Sequence, residues 1–172
     1  MTTFEQLKQE FPNATLDTWH QHPNGGGWVE NTAHVEDSAQ VSGNARVSGN
    51  AWVCDDAQVS GKAWVYGNAW VHGNAQVSGD AQVYGNAQVY DGNFEASPTY
   101  IQGSRYEIYQ STDDGLFITF GCTSKPLAWW DEHVERYAEG HGYTPAQQME
   151  YRAYVELFKR LAEIRSSTKE QK

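Results

Sequence analysis

The 172-residue chain has no apolar run long enough to cross a membrane, so no membrane association is expected. It is poor in cysteine: Cys54 and Cys122 are the only two, too few for a disulfide framework, and they point to a reducing compartment. It is also poor in basic residues. Twelve Lys and Arg stand against 22 Asp and Glu, a net charge of −10. A chain of that balance with scattered cations has no electrostatic footprint for a phosphate backbone, so direct nucleic-acid binding is not expected. The acidity is uneven: residues 1–92 hold three Lys/Arg and ten Asp/Glu, giving −7, and residues 93–172 hold nine and twelve, giving −3. Acidic surface mainly confers solubility, and it also suits a basic protein partner. No signal-peptide or targeting pattern is read, which sets the expectation of a cytoplasmic protein.

What the chain has in abundance is one repeated hexad. From Gly27 to Gly92 valine recurs every six residues, at Val29, Val35 and onward to Val89, eleven times without a slip. From residue 33, alanine stands two positions before each valine. A turn-former pair such as Gly43-Asn44, Asp55-Asp56 or Gly85-Asn86 follows most of them. In Ala-x-Val the period of two points both side chains to one face of a short strand. Gly and Asn accept the left-handed backbone of a sharp corner. Strand and corner alternating at six residues close a three-sided coil after 18, the mark of a solenoid. The 66 residues make about 3.7 coils. Its core is narrow, so caps at both ends and a partner along the side are expected.

Written from valine, Val-Ser-Gly-Asn-Ala-Gln resembles the hexapeptide repeat of left-handed parallel β-helix proteins. That resemblance covers residues 27–92 and implies a mainly β fold, a left-handed β-helix, with homotrimeric assembly. The expected organisation is an N-terminal helical cap over 1–26, the β-helix over 27–92, and a C-terminal β-hairpin with an antiparallel helix pair over 93–172.

Residues 18 apart stack in outward columns. Face one carries Trp28, Arg46, Trp64 and Gln82 with Glu30, Ser48, Tyr66 and Tyr84. Face two carries His34, Trp52, Trp70 and Gln88 with Glu36, Cys54, His72 and Tyr90. Face three is Gln and Ser alone, from Gln40 to Ser78. All the Trp and Tyr of the solenoid fall on two faces, and such a patch is expected to be covered. The cover is expected from the chain's own C-terminal segment or a neighbouring subunit. Faces one and two of successive subunits would meet around a threefold axis. A ligand or partner surface there would use Trp52, Trp64, Tyr66, Trp70, His72 and Tyr84.

Before the repeat, Thr3 and Gln6 form a capping box for a short helix over 3–10. Phe4, Leu7, Phe11, Leu16 and Trp19 are its apolar residues, expected to plug the bottom of the solenoid. His20-Gln21-His22 has metal-ligand spacing but no visible third ligand. Gly25, Gly26 and Gly27 make a turn; no phosphate-cradle motif surrounds them. After the repeat, Ser104–Gln110 and Leu116–Gly121 read as a hairpin. A helix is expected over about 126–139 on the stripe Leu127, Trp130, Val134 and Tyr137. A second, capped by Thr144 with Pro145 and Gln147, carries Tyr154, Leu157, Phe158, Leu161 and Ile164. Residues 166–172 read as a frayed tail, and Cys122 as a buried thiol at a strand end.

The hexapeptide resemblance also raises acyltransferases and zinc carbonic anhydrases. The first use a histidine base near a subunit interface, where only His72 fits, and usually a loop inserted between coils, absent here. The second need three histidines, and His34 lies about two coils below His72. No catalytic residue, metal or cofactor is therefore expected. The run Ile118-Thr119-Phe120-Gly121-Cys122, then Trp130, then Glu150-Tyr151-Arg152-Ala153-Tyr154, resembles small hexapeptide-repeat proteins of phages and prophages. Three roles are expected: a non-enzymatic acidic trimer engaging a host protein or complex, with counter-defence as one such engagement, in the bacterial cytoplasm; a small-molecule site at the trimer interface, for a nucleotide-like ligand or acyl transfer; or a structural spacer in a virion.

Overall fold

The structure is a computed structural model that describes residues 2–169. The chain divides into two compact units, Met1–Pro98 and Thr99–Lys172.

The first unit is a β-solenoid of about four turns preceded by a short helix, α1 (Phe4–Glu10). The cap is the expected one: Gln6 N–H donates to the Thr3 hydroxyl at 3.3 Å, and Thr3 N–H donates to the Gln6 side chain at 2.9 Å. A strand not anticipated from the sequence follows, β1 (Trp19–Gln21), antiparallel to β2 (Trp28–Glu30) with Trp19 opposite Glu30. Ten two-residue strands then succeed one another: β3 (His34–Val35), β4 (Gln40–Val41), β5 (Arg46–Val47), β6 (Trp52–Val53), β7 (Gln58–Val59), β8 (Trp64–Val65), β9 (Trp70–Val71), β10 (Gln76–Val77), β11 (Gln82–Val83) and β12 (Gln88–Val89).

They stack into three parallel sheets, β2-β5-β8-β11, β3-β6-β9-β12 and β4-β7-β10, the three faces read from the sequence. Valine pairs with valine 18 residues on, as Val47 with Val65 and Val53 with Val71. From Ala39 to Val89 every Ala and Val of the repeat is buried. Each coil is tied to the next by backbone bonds such as Arg46 N–H to Ala63 O at 3.0 Å and Trp52 N–H to Ala69 O at 2.9 Å.

The period slips by one after Gly92, yet the ladder does not stop. The strand β13 (Asn93–Phe94) pairs in parallel with β10, and Phe94 takes the inward place opposite Val77. A larger side chain and one residue fewer still close the third sheet.

Corners are set by backbone conformation. Seven repeat corners place glycine at φ between +63° and +74°, from Gly43 to Gly85. A Cβ on Gly61 would lie 2.9 Å from the Gly79 nitrogen one coil up, so stacked corners exclude side chains there. Asp55 is the one non-glycine residue with positive φ, +58°, among the described residues.

The N-terminal segment lies elsewhere than expected. It packs along face one rather than plugging the bottom. Phe4 meets Trp28 at 5.5 Å, Phe11 meets Trp64 edge-on at 5.4 Å, and Glu10 binds Arg46 at 2.6 Å. Leu7, Ala14, Trp19 and Trp28 form its buried cluster, whereas Leu16 is exposed. The lower edge is closed instead by β1 and by Gly27, whose N–H donates to Val41 O at 2.8 Å.

The second unit is an antiparallel four-stranded meander carrying two helices. Its strands are β14 (Tyr100–Gln102), β15 (Glu107–Gln110), β16 (Phe117–Phe120) and β17 (Thr123–Pro126). The hairpin read from sequence is its inner pair, β15 and β16. The outer two lacked a signal: β17 reads Thr-Ser-Lys-Pro, polar and mostly exposed, as an edge strand ending in proline can be.

The helix α2 (Leu127–Gly140) packs on α3 (Pro145–Lys169). Trp130 is fully buried, stacked 3.9 Å from Phe120, with its indole N–H on Ile118 O at 3.1 Å. The buried stripe of α3 is Tyr151, Val155, Phe158 and Ala162; Leu157 and Ile164, expected inside, are exposed. Several apolar side chains on α3 compete for the core, and the sheet below selects the stripe whose tyrosine it can bond. Tyr151 accepts from Tyr106 N–H at 2.6 Å and donates to Tyr106 O at 2.8 Å. The helix runs on through Lys169 where a frayed tail was expected; 170–172 lie outside the described residues.

Across the helix pair, Arg152 bonds Asp131 at 3.0 Å and also Glu135, and Lys159 reaches Asp131 at 2.8 Å. The Lys159 hydrogen bond holds the Asp131 carboxyl below its ordinary range, and that from Arg152 does the same for Glu135.

Two outcomes are expected. Asp55→Gly exchanges relief of a left-handed aspartate for the lost bonds from the Gly73 amide and the Cys54 thiol, so urea denaturation should place it within about 1 kcal/mol of wild type, whereas Asp55→Val should lose about 2 kcal/mol. Carboxyls with lowered folded pKa values stabilise the fold above the ordinary carboxylate range and lose that contribution as pH falls through it. Circular dichroism on acidification should therefore show α2–α3 stability falling in that window, and Arg152→Met should flatten the dependence.

Candidate functional site

Face two holds the exposed aromatic surface. Trp52 and Trp70 are 49% and 38% exposed, although each follows a buried alanine and precedes a buried valine. The sheet dictates this: inward places go to Ala and Val, and the residue between them must point out. Stacked strands then bring the outward rings together. His34 lies 4.4 Å below Trp52, and Trp52 meets Trp70 edge-on at 6.5 Å between centroids. Trp52, Trp70, Asn68 and Gln88 line a groove of about 260 Å³. Asn68 belongs to a corner ladder, Asn50 donating to Asn68 at 3.4 Å and Asn68 to Asn86 at 3.3 Å.

The six candidate residues lie on the two faces to which the sequence assigned them. Trp52, Trp70 and His72 are together on face two. Trp64, Tyr66 and Tyr84 form a separate ladder on face one, with Trp64 to Tyr66 at 4.2 Å and Tyr66 to Tyr84 stacked at 5.5 Å. Trp64 there is half-buried beneath Phe11, its indole N–H on the Ser48 hydroxyl at 2.9 Å. The cover on this face thus includes the chain's own N-terminal segment, a contact that no periodicity announced. Burial, with the neighbouring Tyr84, raises the Tyr66 pKa.

The second outward column of face two carries the titratable groups. Trp70 packs 4.6 Å from His72 and donates its indole N–H to the Cys54 sulfur at 3.1 Å. Burial lowers the His72 pKa from its ordinary value, and the Asp55 carboxylate opposes it. The Cys54 thiol is pushed up by burial, and by the Asp55 and Glu36 carboxylates, against the Trp70 bond. These carboxylates are fixed by backbone amides: Glu36 accepts from Asp55 N–H at 3.1 Å, and Asp55 from Gly73 N–H at 2.9 Å. Glu36, Cys54 and Asp55 therefore converge at one corner. Its one trace in the sequence is that Glu36 and Cys54 stand 18 residues apart, in one column.

The remaining candidates make contacts of their own. His20 bonds the Asn31 side chain at 2.7 Å, and His22 is buried with its Nδ1 3.3 Å from Asn24 O. Cys122, expected to be buried, is exposed, in the turn joining β16 to β17. A sharp two-stranded turn projects its residues outward, whatever their hydrophobicity. A wider groove of about 430 Å³ in the second unit is lined by Leu116, Leu127, Ala162 and the Asp131–Lys159 pair, with no histidine or cysteine.

The two thiols should be kinetically distinct. A colorimetric disulfide reagent should titrate one thiol per native chain quickly, and the second only on denaturation. Cys122→Ser should abolish the fast phase and leave the slow one.

Three stretches, residues 39–55, 57–73 and 75–91, match the family model described as the YdcK β-solenoid repeat. Their starts are 18 residues apart, one coil each, and the solenoid is similar to that repeat over these coils. No match is found among curated proteins or among solved structures.

Proposed function

We propose that this chain is a non-enzymatic binding protein: a rigid, acidic, left-handed β-helix that assembles as a homotrimer and engages a host protein or complex. The observation that carries the reading is the exposed pair Trp52 and Trp70 on an uninterrupted solenoid face. Large aromatics on a rigid platform lose little entropy on contact and dominate interface energies. The coils run without the inserted loop that shapes an acceptor pocket in the hexapeptide acyltransferases. The acidic first 92 residues suit a basic partner, with Asp37, Asp56, Asp80 and Asp91 all exposed. A cytoplasmic, phage-encoded role against host defence belongs to the same proposal. It rests on the resemblance of the C-terminal run to phage and prophage proteins.

The groove formed by Trp52, Asn68, Trp70 and Gln88 favours a second reading, a nucleotide-like small molecule stacked at the subunit interface. Native mass spectrometry of tagged protein drawn from host lysate separates the two. The first reading expects a trimer with a host protein bound, lost in Trp52→Ala/Trp70→Ala and weakened at least tenfold by Asp-to-Lys changes at 37, 56, 80 and 91. A bound mass of a few hundred daltons would replace it with the second. A bare monomer would refute both.

A further inference from the structure

The charge of the solenoid is not spread over its surface. The hexads of face two, residues 33–38, 51–56, 69–74 and 87–92, hold Glu36, Asp37, Asp55, Asp56 and Asp91 and no Lys or Arg. Those of face one hold Glu30 against Arg46, and those of face three Asp80 against Lys62. The whole net charge of residues 27–92, −5, therefore sits on the face that also exposes Trp52 and Trp70. All five carboxylates are exposed, and among the described residues none forms an ion pair with Lys or Arg.

An aromatic groove beside unanswered negative charge selects its occupant by sign. A second copy of the solenoid has only two cations to offer, and each already stands beside a carboxylate: Arg46 with Glu10 at 2.6 Å, and Lys62 with Asp80 at 3.8 Å. The cation must come from another protein. Indole attracts cations more strongly than the other aromatic rings, and a guanidinium lies flat on it while giving up little hydration. Asn68 and Gln88 line the same groove, and their amide oxygens suit guanidinium N–H donors. Asp55 follows Trp52 by three residues, about 10 Å of extended chain, so cations three residues apart on an extended segment would reach both.

We propose that face two docks an extended, arginine-bearing segment of a partner protein. One guanidinium enters the groove of Trp52 and Trp70, and a second cation lies over the carboxylates that follow β3 and β6. The docking site rests on the binding-protein reading and gives it a surface and a partner chemistry.

The probe is a fluorescein-labelled peptide of Gly-Ser-Arg repeats, titrated by anisotropy into the full chain, with Gly-Ser-Lys repeats and spermidine compared beside it. The Arg peptide should bind, weaken as salt rises, and exceed the Lys peptide by about threefold. Trp52→Gln/Trp70→Gln should weaken it by about tenfold. Glutamine already fills this column at Gln88, so the coil should be kept, with unchanged circular dichroism. Asp37→Asn/Asp56→Asn should weaken it by about threefold, whereas Asp80→Asn, on face three, should leave it unchanged. In the peptide-free protein, acrylamide should quench a tryptophan component that the Gln variant lacks.

Shielding of that component would mean that a second copy covers the face, and would overturn the proposal. Arg-peptide affinity unchanged by Trp52→Gln/Trp70→Gln would do the same, as would equal affinity for the two peptides and spermidine, the result of charge alone. A host protein captured through Trp52 and Trp70 while the Arg peptide fails to bind would keep the binding-protein reading and overturn this one.

Discussion

Everything in the first unit depends on the backbone ladder that ties each residue to the one 18 positions on. A two-residue strand has too few hydrogen bonds to persist alone. Here each is held between copies of itself above and below, and each corner rests on the corner beneath. The ladder leaves no freedom of register, because a slip of one residue would turn valine outward and a Trp or Gln into a prism lined by Ala and Val. The tolerance at Phe94 marks the limit of that rule. At the last coil, with one neighbour only, a missing residue and a larger side chain are accommodated.

The same constraint makes the surface. Once the inward places belong to Ala and Val, whatever lies between them is displayed in a column at strand spacing. Single outward residues, unremarkable in sequence, become stacks: His34, Trp52 and Trp70 on one line, Glu36, Cys54 and His72 on the next. Asp55 adds to this because it stands where seven other corners use glycine. Its left-handed backbone directs a carboxylate across the stack toward the Gly73 amide and the Cys54 sulfur. The chemistry of face two is thus a product of stacking rather than of any local motif.

The second unit follows another logic. Its core is a set of aromatics anchored by polar atoms: Trp130 on Ile118 O, and Tyr151 on both backbone groups of Tyr106. Such anchors explain why the buried side of α3 is the Tyr151–Ala162 stripe, leaving Leu157 and Ile164 in solvent. Hydrophobicity alone would have buried them. Hydrogen-bonding reach decided otherwise.

The sequence alone determined the coil length, the three faces and the residues in each outward column, since a strict six-residue period fixes direction and neighbour at once. It also determined both capping boxes, which lie within four residues of chain. Tertiary structure decided which columns are covered and which stand free. Phe4, Phe11 and Glu10 lie on Trp28, Trp64 and Arg46, contacts between a segment with no period and a column that has one. It decided that Cys122 is exposed, that two polar strands join the hairpin, and that Glu36, Cys54 and Asp55 converge. Periodic backbone bonding repeats its information in every coil and can be read from one line of residues. Contacts made once, between segments far apart in the chain, carry no such repetition.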